Sequence, residues 1–408
     1  MAKTTDVPKF GMLTGLKVFS TGTVVAAPYA TSLFAENGAT VIHAESTIAP
    51  DTCRAIKYAW NQEHRNEIGM ALNIPSPEGR EIFFKMCEWA DIWIESSKGG
   101  TYSKWGLTDE VIWQHNPKLV IVHVSGFGQE GDPDYTCRAA YDAIGQAFGG
   151  YMFVNGLPEP NPPMRAVPYT CDYVTALNAA WAGLAAYTRA KVTGKGESID
   201  LAQFEMMTKI QLHYPMTYFQ DKQVLMRNGN DDPKFAGYSA FKCKDGNYVF
   251  IGLVGAGPMK RALPFLGLDK DPDFPAGMQL AIKGTPAGEK LNKSIQAFCD
   301  QYEAEEVDKI CMKNEVPCST IYSLPMAENN PHYLAREVFA EWEDPQYGKV
   351  KGVNVLPHAK NNPPKIWRGA PLYGQDNDDV MREFFGYNDD QIEELYQKGV
   401  LKAGKGCH

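Results

Sequence analysis

The chain has 408 residues, 44 % apolar and 22 % charged, long enough for two domains and too apolar for disorder. Its 40 basic and 49 acidic residues give a net charge of −9, which excludes a chain-wide polycationic surface and with it nucleic acid or an anionic membrane as principal partner. Nine cysteines without a C-x-x-C pair, no apolar N-terminal leader and no apolar run of membrane-spanning length point to a soluble, cytoplasmic protein with reduced thiols. A local basic pocket for a phosphorylated small molecule stays open.

Along the chain, a strand is expected at 16–20, then Thr21-Gly22-Thr23 and a helix opening near Pro28 and ending at Asn37-Gly38. A strand over 40–45, a helix over 77–90, a strand over 91–95, a helix over 108–115 and a strand over 118–124 continue the alternation. Near-continuous apolar strands between helices predict an α/β, doubly wound, Rossmann-like parallel sheet covered on both faces. A longer helix is expected over 172–190, with Val174, Leu177, Trp181 and Leu184 on one face, followed by a short strand over 197–201. After residue 225 the character shifts. Asp245-Gly246 joins strands at 238–242 and 248–254 as a hairpin, helices fill 256–315, and the whole reads as a smaller α+β unit. Beyond 335 come a basic, turn-rich stretch and a helical end over 376–397.

Several positions could carry chemistry. The turn Thr21-Gly22-Thr23 lies between a strand and a helix N-terminus, a common anion-binding arrangement, but lacks G-x-G-x-x-G. Glu45 ends the second strand, where a dinucleotide enzyme would place its ribose-binding acid. Lys98 and Lys104 flank a Gly-Gly turn after the predicted strand over 91–95 and could grip a phosphate. Ser125 lacks both G-x-S-x-G and an identifiable base, so a serine hydrolase is rejected. Asp172 admits two readings, an N-cap for the long helix or a nucleophile whose ionised form the helix N-terminus favours. The eight histidines show no metal-ligand spacing, His123 reads as a satisfied interior residue, and no metal is indicated.

Taken together, Glu36-Asn-Gly-Ala-x-Val-Ile42, Pro77-Glu-Gly-Arg80, Ala90-Asp-Ile-Trp-Ile-Glu-Ser-Ser-Lys-Gly99, Asn116-Pro-Lys-Leu119, Ser125-Gly-Phe-Gly-Gln129 and Thr193-Gly-Lys-Gly-Glu197 resemble the family III CoA-transferases. The resemblance runs from Lys9-Phe-Gly to Ile366-Trp-Arg-Gly-Ala-Pro371 and Gly386-Tyr. It implies that Asp172, in Pro168-Tyr-Thr-Cys-Asp172-Tyr, is the nucleophile. It further implies that Lys98, Lys104, Val25, Ala26 and Leu72 contact coenzyme A, and that Tyr141 and Asp142 line the reaction centre. Racemases of the same fold carry a His-Asp pair there; Tyr141 stands in place of the histidine and speaks against racemisation.

The expected reaction moves CoA from an acyl-CoA donor to a free carboxylate through an aspartyl mixed anhydride and an aspartyl-CoA thioester, with no tightly bound cofactor. The family also implies an interlocked homodimer. It implies a large CoA-binding domain over 1–225 completed by 331–408, with the small domain over 226–330 inserted. Arg138-Ala-x-Tyr-Asp-Ala-x-Gly-Gln-Ala147 and Gly131-Asp-Pro133 look most like the bile-acid branch, whereas Lys360-Asn-Asn-Pro363 looks more like the carnitine branch. A bile acid is the expected substrate and a γ-butyrobetaine-type betaine the alternative. A nicotinamide dehydrogenase and a non-catalytic CoA-binding protein are the alternatives of a different class.

Overall fold

The computed structural model describes residues 5–404. Its larger unit contains a six-stranded, wholly parallel sheet: β1 (Lys17–Ser20), β2 (Thr40–Glu45), β3 (Ile68–Ala71), β4 (Ile92–Glu95), β5 (Val120–Ser125) and β6 (Ser198–Ala202). The order β3-β2-β1-β4-β5-β6 is that of a doubly wound fold, reversing direction between β1 and β4. Successive residues alternate between two buried cores, as strand geometry requires. Phe19, Ile42, Ile68, Trp93 and Ile121 enter one core, while Val18, Val41, Ile92, Ile94 and Val122 enter the other.

The first core is closed by the Pro77–Trp89 helix, through Ile82, Phe83 and Met86, and by Val380, Met381, Ile392 and Leu395 from the C-terminal segment. The second is closed by the Ala26–Glu36 and Thr170–Thr193 helices. The long helix differs from expectation in the face it buries. Ala176, Ala179, Ala180 and Gly183 meet the sheet, whereas Leu177 and Trp181 are exposed, Trp181 by 70 %. Small residues let the helix backbone approach closely: Gly183 lies against Val122 and Ile92. The helical end also differs, dividing into Asn377–Glu383 and Asp389–Gln397. Gly386 in the left-handed region and an Asn388/Gln391 capping box end one helix and start the other.

The larger unit comprises the chain up to Tyr151, Ala166–Gln211 and everything from Pro331 onward; the smaller comprises Met152–Arg165 and Leu212–Asn330. Beside the expected boundaries at 225/226 and 330/331, the chain thus changes unit at 211/212 and 330/331, with an earlier excursion at 152–165. The larger unit also holds a hairpin the sequence reading did not single out, β10 (Phe339–Asp344) with β11 (Gly348–Val353). The smaller unit has an antiparallel sheet, β7 (Tyr238–Lys242), β8 (Tyr248–Gly252) and β9 (Cys318–Thr320), with the expected hairpin turning at Gly246. The Pro286–Cys299 and Ala304–Lys313 helices complete its core around Leu291, Ile295 and Val307. Among the described residues no helix is long and apolar enough to cross a membrane.

Candidate active site

The carboxyl edge of a parallel sheet opens into a crevice where the strand order reverses, because the two flanking connections leave toward opposite faces. Here the β1 and β4 connections line a cleft of about 230 Å³ through Thr23–Ala26 and Ser96–Lys98. Ser125 and Gly126 at the end of β5, Arg138, Tyr141, Asp172 and Gln203 complete the lining. Two close approaches shape it. A Cβ on Gly126 would overlap Ala140, and one on Gly145 would come within 2.6 Å of Cys171 Sγ.

Asp172 is buried in the first turn of the Thr170–Thr193 helix, but it is not the cap. Tyr169 occupies the N-cap position without a side-chain bond. The cap comes from elsewhere: Asp142 Oδ1 accepts from the backbone N–H of Cys171 at 2.8 Å and of Asp172 at 3.3 Å. Gln146 Nε2 donates to Asp142 Oδ2 at 2.7 Å, and Gln146 Oε1 accepts from Ala166 N, locking this cap in place. Asp142 therefore satisfies the orphan donors that an N-cap side chain would serve, leaving the Asp172 side chain with no capping role.

Gln203 Nε2 donates to Asp172 Oδ1 at 2.5 Å, and the described residues give Oδ2 no hydrogen bond. Burial and the neighbouring Asp142 charge push the Asp172 carboxyl up to about 7, against the smaller lowering effect of Gln203. The helix N-terminus was expected to favour the ionised form; desolvation and like charge outweigh it.

The β1 turn is strained. Val24 has φ +68°, a left-handed conformation unusual for a β-branched residue. Its N–H donates to Asp51 Oδ2 at 2.8 Å, and Thr23 N–H donates to Ser96 Oγ at 2.8 Å. Asp51 is in turn held by Glu45, whose Oε2 accepts from Asp51 N at 2.8 Å while the carboxylate binds Arg54. Glu45 is thus a buried support for the turn. This corrects its reading as a ribose-binding acid and removes the main feature behind the dinucleotide alternative.

Val25 and Ala26 line the cleft at the N-terminus of the Ala26–Glu36 helix, and Tyr141 lines it with 68 % of its surface exposed. Lys98 is exposed and borders this cleft and a second one lined by Glu95, Asp109, Gln129 and His123. Lys104 is exposed and borders neither. Leu72, just beyond β3, is buried in the first core and bridges Leu401, outside the cleft. Ser125 Oγ accepts from Gly128 N at 2.8 Å.

His123 is satisfied by Glu95 Oε1 on Nδ1 (2.8 Å) and Asp109 Oδ1 on Nε2 (3.0 Å). Gln203 and Asp51 escaped the sequence reading. Gln203 directly follows β6 at the sheet's carboxyl edge, a placement that could have flagged it; Asp51 carries no such signal. The histidines show no metal-ligand spacing along the sequence, yet His43, His64 and Glu67 converge, with one ligand atom from each within 4.8 Å of the others.

A switch-point cleft with a helix N-terminus and a lysine at its rim, holding a carboxylate without a counter-ion, defines an α/β enzyme site suited to an anionic, nucleotide-type ligand. Comparison with known proteins gives the particular family. The profile of CoA-transferase family III matches residues 13–377, and the chain belongs to that family. It is 45 % identical over 402 residues to the bile acid CoA-transferase BaiK of Clostridium scindens, covering 98 % of this chain and 91 % of the relative. Among solved structures, a CAIB/BAIF family protein from Brucella suis aligns with a TM-score of 0.78 at 24 % identity, over 92 % of this chain and all of that one. Rv3272 from M. tuberculosis aligns with a TM-score of 0.77 at 17 % identity, over 91 % of this chain and 99 % of that one. Both share the fold. The chain is a CoA-transferase, with CoA thioesters as its substrates.

Proposed function

We propose that the protein transfers CoA between bile acids, or comparably bulky carboxylic acids, with Asp172 as the nucleophile. A carboxylate oxygen of ionised Asp172 attacks the thioester carbonyl of the acyl-CoA donor, the C–S bond breaks, and CoA leaves as thiolate from a mixed anhydride. The thiolate then attacks Cγ of Asp172, releasing the donor acid and leaving an aspartyl-CoA thioester. The acceptor carboxylate attacks that Cγ, which forms a second anhydride and frees the thiolate again. Attack of the thiolate on the acceptor carbonyl gives the new acyl-CoA and restores the Asp172 carboxylate. Gln203, donating to Oδ1, fixes the attacking group and is placed to support charge on that oxygen as the aspartyl carbon turns tetrahedral.

The observation that carries this mechanism is the Asp172 carboxylate in the switch-point cleft, held on one oxygen by Gln203 and relieved of capping its helix by Asp142. In this reading Lys98 engages the anionic groups of CoA, and the Val25 and Ala26 segment holds the nucleotide. The bile-acid assignment is supported by the 45 % identity to BaiK. A cytoplasmic homodimer completes the reading. It is supported by the exposed Leu177, Trp181 and Val192 on a helix otherwise packed into a core, and by the eight described cysteines being free thiols.

The test is a mass-spectrometric acceptor screen with cholyl-CoA and γ-butyrobetainyl-CoA as donors. Exchange from cholyl-CoA to other bile acids is expected. Exchange confined to the betaine donor would move the protein to the carnitine-type reading, and CoA binding without exchange would end the enzymatic mechanism proposed here.

A further inference from the structure

We infer that His43, His64 and Glu67 form a buried structural site for a divalent transition-metal cation of the zinc type, apart from the CoA-transfer chemistry. His43 projects from β2, while His64 and Glu67 flank the short connection into β3. All three are fully buried. His64 Nδ1 lies 2.8 Å and His43 Nδ1 3.8 Å from Glu67 Oε2.

The hydrogen-bond inventory of the cluster is incomplete. Among the described residues, neither ring nitrogen of His43 has a hydrogen-bond partner, and His64 Nε2 has none. Buried polar atoms are nearly always satisfied, and an ion held by one nitrogen of each imidazole would give the His43 ring the partner it lacks. The charges agree with this. Around the cluster, Glu45 is paired with Arg54 and Glu36 with Arg65, whereas Glu67 has no Arg or Lys partner among the described residues and hydrogen-bonds to His64 and, at 2.9 Å, to the Thr31 hydroxyl. Asp51 and Glu63, the other buried acids here, accept from backbone N–H groups and from the Tyr173 hydroxyl respectively, so no cation pairs with either among the described residues.

Two imidazoles and one carboxylate are a donor set that binds zinc, and Co²⁺ can report on it. Metal–ligand bonds of about 2.0–2.2 Å set ligand atoms about 3.4 Å apart, so His64 Nδ1 and Glu67 Oε2 would open slightly from 2.8 Å while His43 Nδ1 draws in from 3.8 Å. The surroundings are those of a supported ligand set. Thr31 Oγ1 orients the Glu67 carboxylate, and the Trp60 ring stacks on His64 at 3.6 Å between centroids. A cation here would tie β2 and the entry to β3 together beneath the Asp51–Val24 support of the active-site turn.

The test uses the full-length protein, unfolded in denaturant with chelator and refolded with Zn²⁺ or Co²⁺, so that burial does not bar entry. The expected result is about one equivalent of zinc retained after desalting, by inductively coupled plasma mass spectrometry, with a visible d–d spectrum and partly quenched tryptophan fluorescence for the Co²⁺ form. Glu67→Gln and His43→Gln should each lose the stoichiometric metal and the spectrum. Wild-type protein that refolds without retaining either metal would overturn the inference, a buried water then satisfying the imidazoles. Retention unchanged in a folded variant would also overturn it, by placing the ion elsewhere. If both variants fail to fold, wild-type protein decides: Zn²⁺ must raise its melting temperature and Co²⁺ must partly quench its tryptophan fluorescence, and absence of either effect rejects the site.

Discussion

Two carboxylates are buried at the carboxyl edge of the same sheet, and they face opposite electrostatic situations. Glu95, ending β4, is bonded to His123, which also meets Asp109; those two partners raise the imidazole pKa to about 9 against the effect of burial. Glu95 therefore has a cationic neighbour at neutral pH, and Ser97 N–H occupies its other oxygen at 2.6 Å. Among the described residues, Asp172 has no cation, one amide donor and a second carboxylate close by. The contrast shows how one residue class at one edge is divided between structure and chemistry. A counter-ion quiets the first, and its absence keeps the second poised near neutrality.

The largest effect should come from removing the unpaired member. Asp172→Ala should lower CoA transfer by on the order of 10³-fold or more while CoA binding stays measurable by calorimetry. Near-full transfer would end the nucleophile assignment. Asp172→Asn carries a second signature. The carboxyl's folded pKa is raised from 3.8 to about 7, so the native state binds the proton more tightly than the unfolded chain. That stability is fully present below about pH 4 and is lost as pH rises through about 7. Asn cannot ionise, so the variant should melt higher than wild type at pH 8 and nearly alike at pH 4, as read by scanning calorimetry.

Breaking the paired member should destabilise, and most at low pH, although both groups lose their stabilisation as pH rises. His123→Leu strands Glu95 and Asp109, and removing one partner of a buried ion network costs about 3–5 kcal/mol. The His123 pKa is raised from 6.5 to about 9, so its stabilisation is fully present below pH 6.5 and is lost as pH rises through about 9. Urea unfolding at pH 6 should therefore separate wild type from variant more than unfolding at pH 10. An equal gap at both would mean that the network does not titrate.

A smaller effect is expected at Asp142, which caps the helix and also raises the Asp172 pKa. In wild type, kcat/KM should rise with pH through about 7 as Asp172 ionises. Asp142→Asn keeps an acceptor for Cys171 N–H but removes the like charge, so this acid limb should move to lower pH. It also sets an amide donor against Gln146 Nε2, costing about 1–3 kcal/mol in urea unfolding. A destabilised variant with an unmoved limb would assign Asp142 to capping alone.

These roles were unevenly legible in the sequence. The doubly wound sheet was readable because its strands are almost continuously apolar and their edges carry Gly and Pro; β2 and β7 fall on the predicted residues. Asp172 was visible as a polar residue opening a helix, but not that Asp142, thirty positions earlier, caps it. Nor could periodicity show which face of the Thr170–Thr193 helix is buried. Large apolar residues mark one stripe, while the sheet accepts the stripe of alanines and Gly183. The His43, His64 and Glu67 cluster is assembled from β2 and the approach to β3, so no local motif announces it. Spacing reports partners one or two helical turns apart; contacts between strands and distant loops lie beyond its reach.

The smallest predicted effect separates a contact from a field. Lys98 is exposed at the junction of the two clefts and makes no ion pair among the described residues, so its charge remains available to a ligand. Lys98→Met keeps the apolar stem and removes the ammonium. If the lysine touches a CoA phosphate, KM for acyl-CoA should rise about tenfold, or roughly 1.4 kcal/mol, with kcat nearly unchanged. Lys104→Met removes the same charge six residues away, outside both clefts. It should change KM by no more than about twofold, and added salt should erase that difference before it erases the effect at Lys98, because exposed charges acting at a distance are screened first. Equal effects at both positions would mean that the lysines act as a common field. The selectivity of this edge would then rest on the β1 turn and the helix N-terminus behind it.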